Sequence, residues 1–428
     1  MVIWKSRFQR AVDRWEQARP SDKFGSFRKW HDHRISRAGE AKAVCRALSR
    51  ATLRNPPASN LGERDVHSLV GFVQAVDGEV AMAVFEEQAL PQLRRLLVEG
   101  AAQPAQREDD VLFIAKVLAL FKQREDAERV ARLAASGYGA DHFLWSVLLS
   151  VFGSGHEHAE VVVDTLRDPL PEGFLGVAFL DQANQLAIAG KLARHPYDCP
   201  DGLRRLRAWL SDSQPEHHSY AHSATAALPF LMSAERDTLF ELAAEHVDPR
   251  VRMEAAWASA RSGDDSGIIW LADWAKDPLH SNTAVHYLEE LGRADAIPPE
   301  ATSSAFRAVA EMAEWLADPQ EYGRPPDAIE LMDQRRLFWP PTRDERDVAL
   351  VRYTYNPTGD ETEPDVGIGM VGSVTFALFG EATPNLSATE LYGLHCAWEL
   401  EGNDDKRAPA ERTPAAGLAI LRGYNPAL

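Results

Sequence analysis

The chain has 428 residues, 45% of them hydrophobic and 26% charged, a composition that excludes a disordered chain and leaves room for two or three domains or one repeat array. Three cysteines, Cys45, Cys199 and Cys396, are widely spaced and odd in number, which excludes a disulfide framework or a paired-cysteine metal knuckle and fits a reducing, cytoplasmic setting. The net charge of −18 is uneven: residues 1–57 carry 14 Lys and Arg against 5 Asp and Glu, the remainder 32 against 59.

In the basic arm, 1–57, Trp4, Phe8, Val12 and Trp15 recur at helical spacing, with Lys5, Arg7, Arg10 and Arg14 on other faces. A basic amphipathic helix is expected. Either it folds back onto the acidic body or it meets an anionic partner, a nucleic acid or a membrane surface. Charge interrupts residues 1–30 throughout, against a secretory signal, and Asp13, Glu16 and Asp22 argue against an organellar transit peptide. The longest apolar runs, near 111–120 and 143–152, fall well short of the roughly 18 residues of a membrane span.

After the breaker Asn55-Pro56-Pro57, apolar-periodic segments follow one another, most of them closed by Gly or Asp-Pro. Helix pairs are expected to begin near Glu63, Glu108, Asp141, Glu172, Glu216, Pro249 and His280, at intervals of 31 to 45 residues. That period indicates stacked helix pairs, each burying its apolar face on its neighbours.

The clearest unit starts at Asp248-Pro249-Arg250-Val251-Arg252 and ends at Gly263. Asp248 suits the cap, Pro249 the first helical position and Gly263 the left-handed stop. Val251, Ala255 and Ala258 then share one face, Ile268, Leu271, Ala272 and Ala275 continue the pattern, and Asp277-Pro278 restarts it through Ala284, Leu288 and Leu291 to Gly292. This stretch, 248–292, resembles a short bacterial HEAT repeat, whose first helix reads Asp-Pro, two residues, Val-Arg, an Ala-rich face and Gly. The resemblance implies a HEAT-like α-solenoid over 58–320, although 63–210 lack the Val-Arg step.

Beyond Pro319 the character changes. Breaker clusters at Tyr322-Gly323-Arg324-Pro325-Pro326 and Phe338-Trp339-Pro340-Pro341 leave room for one helix over 327–337, and strands are expected over 347–355, 368–379 and 395–400. Ser387-Ala388-Thr389-Glu390 has capping-box spacing and starts a one-turn helix. The acidic loop 356–365, with Asp360, Glu361, Glu363 and Asp365, reads as a solvated hairpin tip. The linker helix and small β-rich domain thus occupy 321–402, followed by a flexible tail over 403–428.

Few residues suggest chemistry. His156-Glu157-His158, the group His217, His218 and His222, and the pair His195 and Cys199 invite a metal, but a metal needs three or four converging ligands, so packed or surface histidines are the expectation. Within the HEAT class, a di-iron hydroxylase uses His-Glu dipeptides early in its first helices; Met253-Glu254 and Ser281-Asn282 stand at those places here. A HEAT-like DNA glycosylase reads DNA through a basic concave surface, and this body is acidic. Trp257, Trp270 and Trp274 read as core or groove aromatics. Gly367, Gly369 and Gly372 span a dinucleotide spacing but precede no helix, so a bulged strand or hairpin is expected. Asp344, Glu345 and Asp347 with Arg335, Arg336 and Arg343 read as salt bridges locking the two domains. The alternative there is a binding pocket in which Trp339, Arg335, Arg336 and Arg343 receive an anionic ligand.

The expected protein is therefore mostly α, a HEAT-like solenoid of about seven helix pairs with a small β-rich C-terminal domain. No cofactor, metal or catalytic residue is expected. The expected role is a protein-binding scaffold whose acidic concave face takes a partner with a basic surface, with a nucleic-acid or anionic-membrane adaptor acting through 1–57 as the alternative.

Overall fold

A computed structural model describes residues 5–17, 27–30, 32–53, 64–103, 107–357, 363–379 and 383–428. Trp4, Asp22, the breaker Asn55-Pro56-Pro57, the start at Glu63 and the loop residues Asp360 and Glu361 lie outside them. The protein is mostly helical, with one four-stranded antiparallel sheet near the C-terminus, and divides into two units, Met1–Val251 and Arg252–Leu428.

In the first unit, helix Arg7–Gln17 buries Phe8, Ala11, Val12 and Trp15, the expected apolar face, and packs against helix Ala38–Arg50. Phe8 sits among Trp30, His33 and Phe72, with ring centroids 4.5 to 5.5 Å away. Helix starts then follow the expected period. Helices Glu108–Leu120, Leu144–Ser150, Gly173–Ile188 and His218–Ala227 contact one another in succession, while Arg124–Ala135 packs on Ala159–Leu166 and Pro200–Leu210 on Arg236–Ala244. Each helix in the first row is thus flanked by those one pair before and after it. Helices Glu108–Leu120 and Gly173–Ile188 are buried nearly all round and carry long apolar runs accordingly.

The first Asp-Pro caps its helix as expected, whereas the second opens a turn ahead of helix Ser281–Glu290, which has no side-chain cap. Asp248 Oδ1 accepts the Arg250 N–H at 2.7 Å, capping helix Pro249–Arg261, and Asp277 Oδ1 accepts the Leu279 N–H at 3.1 Å. Gly263 and Gly292 both have positive φ, and the N–H after each reaches back to Ser259 and Leu288. Those bonds satisfy carbonyls that the helix end leaves open.

In the second unit the strands are β1 (Ala328–Trp339), β2 (Asp344–Tyr355), β3 (Asp365–Val371) and β4 (Phe376–Phe379), paired in that order. Val348 and Leu350 of β2 face a core completed by Leu391, Tyr392, Cys396 and Leu400 of helix Ala388–Gly402. Ala349, Val351 and Tyr353 face Ala308, Met312 and Leu316 of helix Ser304–Ala317. With both faces covered, β2 loses the polar-apolar alternation of a one-sided strand and reads as a continuous apolar run. Gly367 and Gly369 lie in β3, where a Cβ would strike the Tyr353 ring or Met312, and Gly372, at φ 100°, turns the chain into β4. The glycine cluster is a strand and its turn, as expected.

Three expectations are corrected. Residues 328–337 belong to β1, not to a helix: Asp333 and Arg335 pair along the strand, and the register with β2 sets Arg336 opposite Asp347. Residues 395–400 are helical, because the capping box at Ser387 and Glu390 launches a helix of 15 residues rather than one turn. Tyr392, Cys396 and Leu400, four apart, fall on its buried face. The segment 403–428 is not a free tail: Thr413 caps helix Pro414–Tyr424, which packs on helix Ala388–Gly402.

Candidate functional site

The residues expected to form an anion pocket are dispersed. Trp339 is fully buried, its indole N–H donating to Glu399 Oε2 at 2.7 Å, so it offers no ligand a surface. Arg335 donates to Asp333 and to Thr389 Oγ1 and lies over the Tyr392 ring. Arg336 is exposed and sits 3.5 Å from Asp347 and 3.9 Å from Glu345. Arg343, at φ 63°, turns away at the β1–β2 hairpin toward Asp405, 3.9 Å off. These pairs hold neighbouring strands and loops of the sheet domain. Arg335 and Arg336 do line a groove of about 660 Å³ together with Arg307, but Glu311 and Asp347 line it too, and with Arg336 paired to Asp347 and Arg335 to Asp333 little of that positive charge is left for an anion.

The histidines form a repeated structural device. The Nδ1 of His142, His156, His195 and His246 each accepts the backbone N–H two residues on, at 3.1 to 3.3 Å. That bond fixes the proton on Nε2. In three of them Nε2 reaches back 33 to 37 residues, one helix pair: to Asp109 Oδ1 at 3.0 Å, the Ala119 carbonyl at 3.2 Å and the Asp212 carbonyl at 3.1 Å. His195 instead meets Asn184 Oδ1 at 3.1 Å. Each imidazole thus ties a turn to an earlier segment, and His156 and His246 fill carbonyls that helix C-termini leave open. Burial pushes His195 down to about 4 and lowers His156 as well.

A cavity of about 370 Å³ near Asp181, His218, His222 and Asp248 holds histidine and carboxylate together. His218 Nδ1 lies 2.8 Å from Asp248 Oδ2, and its Nε2 is taken by the Ser213 carbonyl at 3.3 Å. Both nitrogens are therefore committed, Nδ1 to the cap residue and Nε2 to the Ser213 carbonyl. Burial would raise the Asp248 carboxyl, but the Arg250 guanidinium and N–H, with His218, carry it down to about 2. No group of three or more His, Cys, Asp or Glu among the described residues could hold a metal ion.

The surface that remains unspent is apolar. In helix Asp265–Trp274, Ile268 and Leu271 are buried, while Ile269 and Trp270 stay 66% and 47% exposed. Beside them runs a groove of about 500 Å³ bordered by Asp273, Lys276, Arg293 and Asp295. Trp257 is buried and Trp274 stacks edge-on to His280, as core and groove aromatics should. Trp270 is the exception. The helical phase contained the signal: once Ile268, Leu271, Ala272 and Ala275 define the inner face, residues 269 and 270 point away from it.

Among the described residues no helix is long and apolar enough to cross a membrane. Comparison with protein-family models, with curated proteins and with solved structures finds no match to this chain.

Proposed function

We propose that the chain is a non-catalytic protein-binding scaffold, a HEAT-like solenoid of about seven helix pairs whose acidic concave face takes a partner with a basic surface. Succession of helix contacts at the repeat period, the Asp248 cap and the glycine stops at Gly263 and Gly292 support the repeat reading. The observation that carries the function is the exposed pair Ile269 and Trp270 on the second helix of the clearest repeat. Adjacent large apolar side chains left in water mark a contact surface, and aromatic anchors dominate binding energy at such surfaces. Asp265 and Asp295 pair with Arg293, at 3.7 and 3.1 Å, and Asp273 with Lys276, at 3.3 Å, so three carboxylates against two cations leave the rim weakly acidic, the sign that a partner rich in lysine and arginine complements.

Affinity purification of the full chain from its native cells, beside Ile269→Asp and Trp270→Ala forms, tests the reading. A discrete set of proteins held by the unaltered chain and lost from both variants is the expected result. The same proteins retained by all three forms, or none held by any, overturns it.

A further inference from the structure

Helix Arg7–Gln17 has two polar flanks of opposite character. On one, Asp13 and Glu16 are neutralised by Arg46, at 2.6 and 3.1 Å, with Lys5 on Asp13 and Arg50 on Glu16. On the other, Arg7, Arg10 and Arg14 stand three and four residues apart and are all exposed. At about 100° per residue they form one stripe. No carboxylate among the described residues pairs with any of the three; Arg10 donates only to the Lys5 carbonyl, at 3.0 Å. Lys29 and Arg34 adjoin in sequence Trp30 and His33, whose rings pack on Phe8, and add two further cations to this segment. Both are exposed and form no ion pair with a described residue; Asp32 is the exposed carboxylate between them.

We infer that this face binds the phosphodiester backbone of a nucleic-acid duplex without reading its sequence. The inference is independent of the scaffold reading, which uses another surface in the other unit. The charge pattern suits a linear polyanion: Arg7 to Arg14 spans about 10 Å of helix axis, over which one duplex strand presents about three phosphates. A bilayer surface fits less well. A membrane-bound amphipathic helix inserts its apolar face, and here Phe8, Val12 and Trp15 are buried in protein. A single strand fits less well too, because it is held by aromatic stacking platforms, and the described rings of this segment pack inward. Although the whole chain is acidic, screening confines each charge to about 10 Å at 0.1 M salt, so the stripe meets phosphates on its own terms.

The test is fluorescence anisotropy of a labelled 20-base-pair DNA duplex with the full chain at 50 and 200 mM salt, beside a single strand and anionic phosphatidylserine vesicles. If all five cations engage, affinity falls on the order of several-hundred-fold between the two salts, and Arg7→Gln with Arg10→Gln and Arg14→Gln cuts that fall to about tenfold. The Trp270→Ala variant binds the duplex unchanged. An unchanged melting temperature shows that the triple variant is folded, and Lys29→Gln with Arg34→Gln gives a second, smaller loss at a separate place. No duplex binding at 50 mM salt, a salt dependence the triple variant leaves intact, or tighter binding to vesicles or single strands than to duplex overturns the inference.

Discussion

The indole N–H of Trp339 donates to Glu399 Oε2 across 2.7 Å in the interior of the sheet domain, where the other carboxylate oxygen accepts from Ser373 Oγ at 2.8 Å. A buried carboxylate keeps its charge only while such donors replace water. Trp339→Phe removes one of them and is expected to cost about 1–3 kcal/mol in urea unfolding. Adding Glu399→Leu should cost less than the sum of the two single changes, because it removes the group left unpaired. Strict additivity in the double-mutant cycle would show that the bond carries no coupling.

Acid should loosen the histidine ties. Burial holds His195 neutral to about pH 4, against 6.5 for the free group, and His156 shifts in the same direction. Above pH 6.5 both folded and unfolded chains leave these rings neutral, so their contribution is whole. As pH falls from 6.5 toward 4, the unfolded chain takes up protons the folded one refuses, and stability declines, by about 2 kcal/mol for His195 at pH 5. His195→Gln should be less stable at pH 7 yet lose less between pH 7 and pH 5, measured by denaturant midpoints. Parallel pH curves for the two proteins would remove His195 from this role.

Much of the helical part was legible because local signals and tertiary structure agree there. Glu108 and Pro249 each open a helix where the sequence places one, and Gly263 and Gly292 end theirs. The sheet domain was less legible because its decisive interactions are distant in sequence. The charges of 333–336 mimic a solvated helix face until β2 lies beside them, and nothing local in His395-Cys396-Ala397 distinguishes a strand from a continuing helix. At the candidate sites, arginines near Trp339 promised a pocket, but a tryptophan among breakers carries no mark of whether it is buried; Glu399, sixty residues on, decides that. The histidine ties escaped notice for the same reason, since each acceptor lies up to 37 residues upstream.

Asp248 combines a local cap with a distant partner, and the two can be separated. Asp248→Ala removes the acceptor of the Arg250 N–H and releases His218, so its cost should exceed the roughly 1 kcal/mol of an ordinary cap. His218→Ala keeps the cap and should cost less. Because the Asp248 carboxyl is held down to about 2, its contribution is complete above about pH 4 and lost as pH falls toward 2. Thermal unfolding of the three forms at pH 7 and pH 3 checks both statements, and an Asp248→Ala cost no larger than that of His218→Ala would refute the first.

The C-terminal helix docks through two glycines. A Cβ on Gly417 would overlap the Gly393 carbonyl, and one on Gly393 would come 2.5 Å from the Leu418 nitrogen and 3.0 Å from the Pro414 carbonyl. These are backbone atoms, which cannot swing aside as a side chain can, so the two helices must separate. Gly417→Ala is therefore expected to cost about 1–3 kcal/mol although alanine favours a helix. Gly423 provides the control: it lies in the same helix with nothing within 4 Å of its Cβ position, so Gly423→Ala should be neutral or slightly stabilising. Hydrogen exchange locates the effect. In Gly417→Ala the amides of 414–424 should lose protection while those of β2, at the centre of the domain, keep theirs. A detached tail over 403–428 would make both substitutions silent, so equal exchange in the two variants would reverse the assignment of this segment to the folded domain.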